Sequence, residues 1–158
     1  MVHDMEENWR EFWKGVLAQL PVQLGVIPFG LVFGVLGIAS GLTATQTILM
    51  SSIIFGGASQ IVFAQLWSYG TSPIITGGSV AIINMRHIIY SANVSFYISS
   101  LPLRWRIILG YLLTDEAFAV SFQEFENKNR FAHYHLLGGG LTLWAFWQIS
   151  TVAGVFLG

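Results

Sequence analysis

The chain has 158 residues, a formal net charge of −1 and no cysteine, with 54% apolar residues and only 9% charged ones. A soluble domain is about 25% charged, so this chain has too few polar groups to cover a water-facing surface. A soluble enzyme, a nucleic-acid binder, a disordered tail and a disulfide scaffold are all excluded. Six of the 15 charged residues lie in the first 14 positions; none lies in the 71 residues from Gly15 to Met85, and none after Arg130. A crossing helix takes about 20 mostly apolar residues, so the uncharged run has room for roughly three. The pattern predicts an all-α, polytopic integral membrane bundle with about five membrane segments, some of them broken.

Residues 1–14 read as an interfacial amphipathic helix, and residues 15–158 as the transmembrane domain. Asp4 is placed to cap the first helix, with Glu7 three residues on as in a capping box. Trp9, Phe12 and Trp13 make one apolar stripe suited to the membrane interface; a plain extension of the first span is the alternative. The start is acidic and aromatic, unlike the basic start of a cleavable signal.

Segment one, residues 16–40, contains Pro21 and Pro28. Pro28 has no backbone donor and crowds the carbonyl four residues back, which predicts a kink or break beside Gly30. Gly30, Gly34 and Gly37 offer a flat face for close helix packing. Segment two, residues 45–67, has Phe55-Gly56-Gly57-Ala58-Ser59-Gln60 at its centre, a poor continuous helix. Freed backbone groups at that depth must be buried in protein or face a wet cavity. Segment three covers residues 73–100, and a short segment four covers 107–122. Segment five covers 134–158 and opens with Gly138-Gly139-Gly140, which lacks the lysine and strand of a phosphate loop.

Ionisable side chains at bilayer depth are costly and point to function. Arg86 stands about 13 residues from Pro73, roughly 20 Å along a helix. Arg86, Tyr90, Asn93 and Tyr97 form one stripe of segment three, and Asn84, His87, Ser91 and Ser95 another. A helix polar on two faces is expected inside the bundle, with Arg86 paired to an acid. His87 suits either a hydrogen-bonded structural role or proton handling. Asp115 and Glu116 fall in mid-segment. One can pair with Arg86 while the other faces the pathway and carries a proton, and the pair can also mark the start of a half-helix capped by Thr114; both readings can hold together. Gly56, Gly57, Ser59 and Gln60 could hold a carboxylate at a half-helix start, or simply pack closely. Phe29, Phe33 and Phe55 are the candidates for an apolar pocket wall. His133 and His135 lack a third ligand, so no metal site is expected, and no cofactor motif is present.

The combination Pro28-Phe29-Gly30, Phe55-Gly56-Gly57-Ala58-Ser59-Gln60, Asn84-Met85-Arg86-His87-Ile88-Ile89-Tyr90 and Leu113-Thr114-Asp115-Glu116-Ala117-Phe118 resembles the AzlC family, the large subunits of branched-chain amino acid exporters. The resemblance covers the chain from about Trp13 onward. It implies export of branched-chain or similar apolar amino acids, with a small hydrophobic AzlD-like partner subunit; a homo-oligomer is the alternative. Members of the family usually continue through further membrane segments, so a fragment or a short member is expected. With no nucleotide motif, energy would come from a proton or ion gradient. The competing reading is a non-transporting membrane scaffold. An intramembrane enzyme using His87 with Asp115 or Glu116 lacks a nucleophile motif and is set aside. The expected location is the cell (inner) membrane. Arg10, Lys14, Lys128 and Arg130 outnumber Arg104 and Arg106 across the segments, which favours a cytoplasmic N-terminus.

Overall fold

The computed structural model describes residues 2–158, and among the described residues there are helices but no strand. Helix α1, Val2–Gln19, runs through a 3-10 turn, Leu20–Val22, into α2, Gln23–Ala39. Then come α3 (Ala44–Ile54), α4 (Gly57–Ser68), α5 (Pro73–Asn84), α6 (Arg86–Ile98), α7 (Leu103–Leu112), α8 (Asp115–Glu126) and α9 (Ala132–Leu157). The ends have local causes. Thr43 and Gln46 close a reciprocal capping box before α3. Ser72 caps α5, and Pro73 takes the first helical position, where no donor is needed.

Among the described residues, two helical runs are long and apolar enough to cross a membrane: the 36 residues Asp4–Ala39 and the 26 residues Ala132–Leu157. The six helices from α3 to α8 hold 10 to 13 residues each. Such a helix is about 18 Å long, short of the roughly 30 Å hydrocarbon core. They follow one another as three interrupted segments, with breaks at Phe55-Gly56, Met85 and Leu113-Thr114.

Four expectations are corrected. The helix continues through Pro28, and the irregular turn lies earlier, at Pro21. Proline inside a membrane helix is tolerated where neighbouring groups satisfy the freed carbonyl. Asp4 is not a cap, because α1 already begins at Val2 and Asp4 sits in its first turn. Residues 2–14 lie in this same helix, and its exposed Trp9 and Trp13 carry the aromatic stripe. Asn84 and His87 fall on different helices, separated by the break at Met85. The end of α6 is also less enclosed than its polarity predicts: Val94 and Ile98 are buried, whereas Ser91, Asn93 and Ser95 are exposed. Asn93 and Ser95 donate to carbonyls of their own helix, those of Ile89 and Ala92, which lowers the cost of that exposure.

The chain forms two compact units. One holds the chain up to Gln23 together with His87–Trp144. There α1 lies against the start of α9 so closely that a Cβ on Gly15 would meet the His135 carbonyl, and one on Gly138 the Phe12 carbonyl. Leu109, Leu112, Ala117 and Leu136 fill its interior. The other unit holds Leu24–Arg86 and Ala145–Gly158. Its α2 meets the end of α9 through Gly30, Gly34 and Gly154, the close-packing face expected of the first two. Beside it, buried Ser51 and Thr151 share a 3.0 Å hydrogen bond, and Gln148 donates to the Ser51 carbonyl. Both units expose apolar side chains such as Phe96 and Ile74 while burying glutamine, serine and threonine.

Candidate functional site

The Leu24–Arg86 unit contains the first half-helix start. Helix α3 stops at Ile54, and Phe55 turns the chain with a left-handed φ of 41°. Gly56 follows in extended backbone, and α4 begins at Gly57. The first turn of a helix leaves N–H groups without intrahelical acceptors. Here the Ser59 hydroxyl donates to the Gly56 carbonyl at 2.7 Å, and the Gly56 N–H donates to Gln60 Oε1 at 3.3 Å. Asn84, at the end of α5, reaches the same turn. A methyl group on Gly56 would stand 2.9 Å from Ser59 Oγ and 3.2 Å from Asn84 Oδ1. Of the predicted residues, Gly56, Ser59, Gln60 and Asn84 therefore converge.

Gly57 faces outward from that turn onto Trp147 and Phe29. The Trp147 ring stacks on Phe33 with centroids 6.1 Å apart and lies 6.5 Å from Phe29. Three buried polar atoms around this turn have no hydrogen-bond partner: Gln60 Nε2, Trp147 Nε1 and Asn84 Oδ1. Two are donors and one is an acceptor, beside an aromatic wall. A buried polar group without a partner is costly, so this combination is suited to binding a small polar ligand or water.

The His87–Trp144 unit contains the second start. Leu113 leaves helical geometry, Thr114 is extended, and its hydroxyl accepts from the Ala117 N–H. Asp115 and Glu116 thus open α8, where negative charge meets the helix dipole. The half-helix reading of this pair, with Thr114 as its cap, is the arrangement observed. His87 Nδ1 lies 3.1 Å from the Leu113 carbonyl released by the break. A carbonyl only accepts, so Nδ1 carries the proton and Nε2 is left for other partners. Tyr90 stacks on Phe118 at 4.7 Å and fixes α6 against the start of α8. Arg86 is half-buried at the first position of α6. A separate cavity of about 180 Å³ between α6 and α7 is lined by Ser91, Ser95 and Arg106, and it includes none of the predicted site residues.

The sequence profile of the AzlC protein family matches residues 21–158. The chain belongs to the AzlC family. It is 37% identical over 147 residues to an uncharacterized membrane protein of Archaeoglobus fulgidus, covering 93% of this chain and 63% of that one. It is 29% identical over 149 residues to the inner membrane protein YgaZ of Escherichia coli, covering 93% and 61%. The chain therefore spans under two thirds of the length of both relatives. No solved structure matches.

Within this AzlC-family chain, sequence reasoning missed Trp147 and the buried Thr47, Ser51 and Thr151. The polar residues carried a signal. Thr47 and Ser51 are four apart, Gln148 and Thr151 three apart, each pair on one helix face in an apolar segment. Trp147 had none, because its value depends on a contact with Gly57 some 90 residues away in sequence.

Proposed function

We propose that this chain is a subunit of a secondary transporter that exports branched-chain or similarly apolar amino acids. Membership of a membrane-protein family supports a transport-related role. The observation that carries the substrate class is the start of α4. Gln60 Nε2, Trp147 Nε1 and the N–H groups of the first turn form a donor set suited to a carboxylate. Asn84 Oδ1 can accept from an ammonium, and Phe29, Phe33 and Trp147 offer an apolar wall. Small zwitterions with an apolar side chain need all three.

In this reading Asp115 or Glu116 carries the coupling proton. The start of α8 keeps its acids near a freed carbonyl and His87, and a carboxyl must be neutral in one half of the cycle to cross an apolar barrier cheaply. The protein sits in the cell membrane as a multi-pass chain, with a small AzlD-like subunit or a second copy as its partner.

Counterflow of labelled valine into proteoliposomes holding the full chain, with and without the small subunit, tests this reading. Saturable exchange that unlabelled leucine or methionine inhibits is the expected result. No exchange under either condition, from protein that elutes as a single species, identifies a scaffold subunit and overturns the proposal.

A further inference from the structure

A second polar feature lies in the other unit. Glu11, Gly15, Gln19 and Gln23 follow one another at four-residue spacing, which keeps them on one ridge of α1 and its continuation. Glu11 is 4% exposed, Gln19 0% and Gln23 3%. Both polar atoms of the Gln19 amide and the Gln23 Oε1 have no hydrogen-bond partner; the Gln23 amide nitrogen donates to the Gln19 carbonyl. Across from this ridge stand Ser121 of α8 and His135 of α9, whose Oγ and Nδ1 are 3.1 Å apart. Gln19 Oε1, Ser121 Oγ and the Gly15 carbonyl all lie 3.5–3.7 Å from the point where a methyl group on Gly139 would stand.

The ridge covers about 18 Å of helix at 1.5 Å per residue, enough to reach mid-bilayer from one interface. At its outer end Glu11 takes hydrogen bonds from Lys14 at 2.6 Å and Asn129 at 3.0 Å, and Asn129 also bonds Glu124. Glu124, Glu11 and Lys14 are the charged groups close enough to act on His135. The unmet groups include both donors and acceptors, which fits water and fits neither a bare cation nor an anion. Buried water typically satisfies about three such groups.

We propose that Glu11, Gln19, Gln23, Ser121 and His135 line a water-filled path that admits protons from the Glu11 end of α1 to the depth of Gln23. A proton enters at the Glu11 carboxylate or the His135 ring, passes along hydrogen-bonded water, and is replaced from solvent at the entry group. The path does not depend on the identity of the cargo.

The chain has no native cysteine, so single thiols report on the path directly. Gln19→Cys and Gln23→Cys are introduced into the full chain in proteoliposomes. Their reaction with N-ethylmaleimide, which is neutral and crosses the bilayer, is followed across neutral pH. Leu136→Cys, at a fully buried apolar position of the same unit, is the control. Only the thiolate reacts, so a thiol that exchanges protons with bulk water speeds up about tenfold per pH unit below its pKa. The expected result is that dependence at positions 19 and 23, with rates at least tenfold above the control. Rates that ignore pH, or that match the control, overturn the path. Should Gln19→Cys fail to elute as a single species, the nearly isosteric Ser121→Cys replaces it under the same criteria. Valine exchange without pH-sensitive thiols refutes the path alone. PH-sensitive thiols without valine exchange refute the exporter alone.

Discussion

At Trp147 the stability and binding consequences of one atom differ. Its indole N–H is buried without a partner, while its ring stacks on Phe33 and closes over Gly57. Trp147→Phe keeps an aromatic ring at this position and removes the donor. Deleting the unsatisfied N–H removes one cost, while losing the ring atoms that close over Gly57 adds a cavity cost of similar size, so the unfolding temperature in detergent should change little. If the N–H receives the substrate carboxylate, affinity should fall by about 1.5–3 kcal/mol, roughly tenfold to a hundredfold. Unchanged affinity in the valine counterflow assay would assign Trp147 to packing alone. The glycines divide just as sharply. A Cβ on Gly34 would press on the Thr151 carbonyl and on Gly154 Cα, whereas one on Gly77 would meet nothing within 4 Å. Gly34→Ala should therefore cost about 1–3 kcal/mol through forced helix separation. Gly77→Ala should be neutral or stabilise by up to about 1 kcal/mol. Thermal unfolding of the two variants side by side checks both signs, and equal shifts would remove the close-contact argument.

Helix interruptions matter most at the scale of the element, and they differ in how visible they are in sequence. The break at Gly56 is legible because two adjacent glycines and a serine weaken an otherwise apolar helix. The start at Asp115 is legible because Thr114 can cap and two acids suit a helix N-terminus. Met85 is a different case. No glycine or proline is adjacent, and the helix stops because a single residue departs from the ladder between Asn84 and Arg86. Pro28 is the converse, a strong breaking signal overridden by its surroundings. Local propensity accounts for the first two and does not account for the last two, which cannot be read along the chain. The start of α8 yields a direct prediction. Asp115→Asn and Glu116→Gln keep the helix start and remove one charge each. If one acid carries the coupling proton, one of the two variants should abolish export driven by a pH gradient while still folding. Wild-type export with unchanged pH dependence in both would make the acids structural.

In both units large apolar side chains such as Leu24, Ile74 and Phe96 are exposed, while glutamines, serines and threonines share the interior with the apolar core. The bilayer supplies the apolar surroundings, and its two faces differ in charge preference. Arg10 and Lys14 lie on α1, while Lys128 and Arg130 lie in the turn between α8 and α9. Contacts within one unit bring these two places together: Arg130 lies 3.5 Å from Asp4, and Asn129 donates to Glu11. The four positive residues therefore belong to one end of that unit. Arg104 and Arg106, at the start of α7, are the remaining positive loop residues. Positive loops are retained on the cytoplasmic side, so the four-residue end should face the cytoplasm. The absence of cysteine again allows a clean measurement. Lys128→Cys and Ser100→Cys, both at exposed positions, are treated in whole cells with a maleimide that cannot cross the membrane. Ser100→Cys should label in intact cells and Lys128→Cys only after permeabilisation. Labelling of Lys128→Cys in intact cells would invert the orientation. Labelling of both in intact cells would mean that α7 and α8 enter and leave the membrane on the same side.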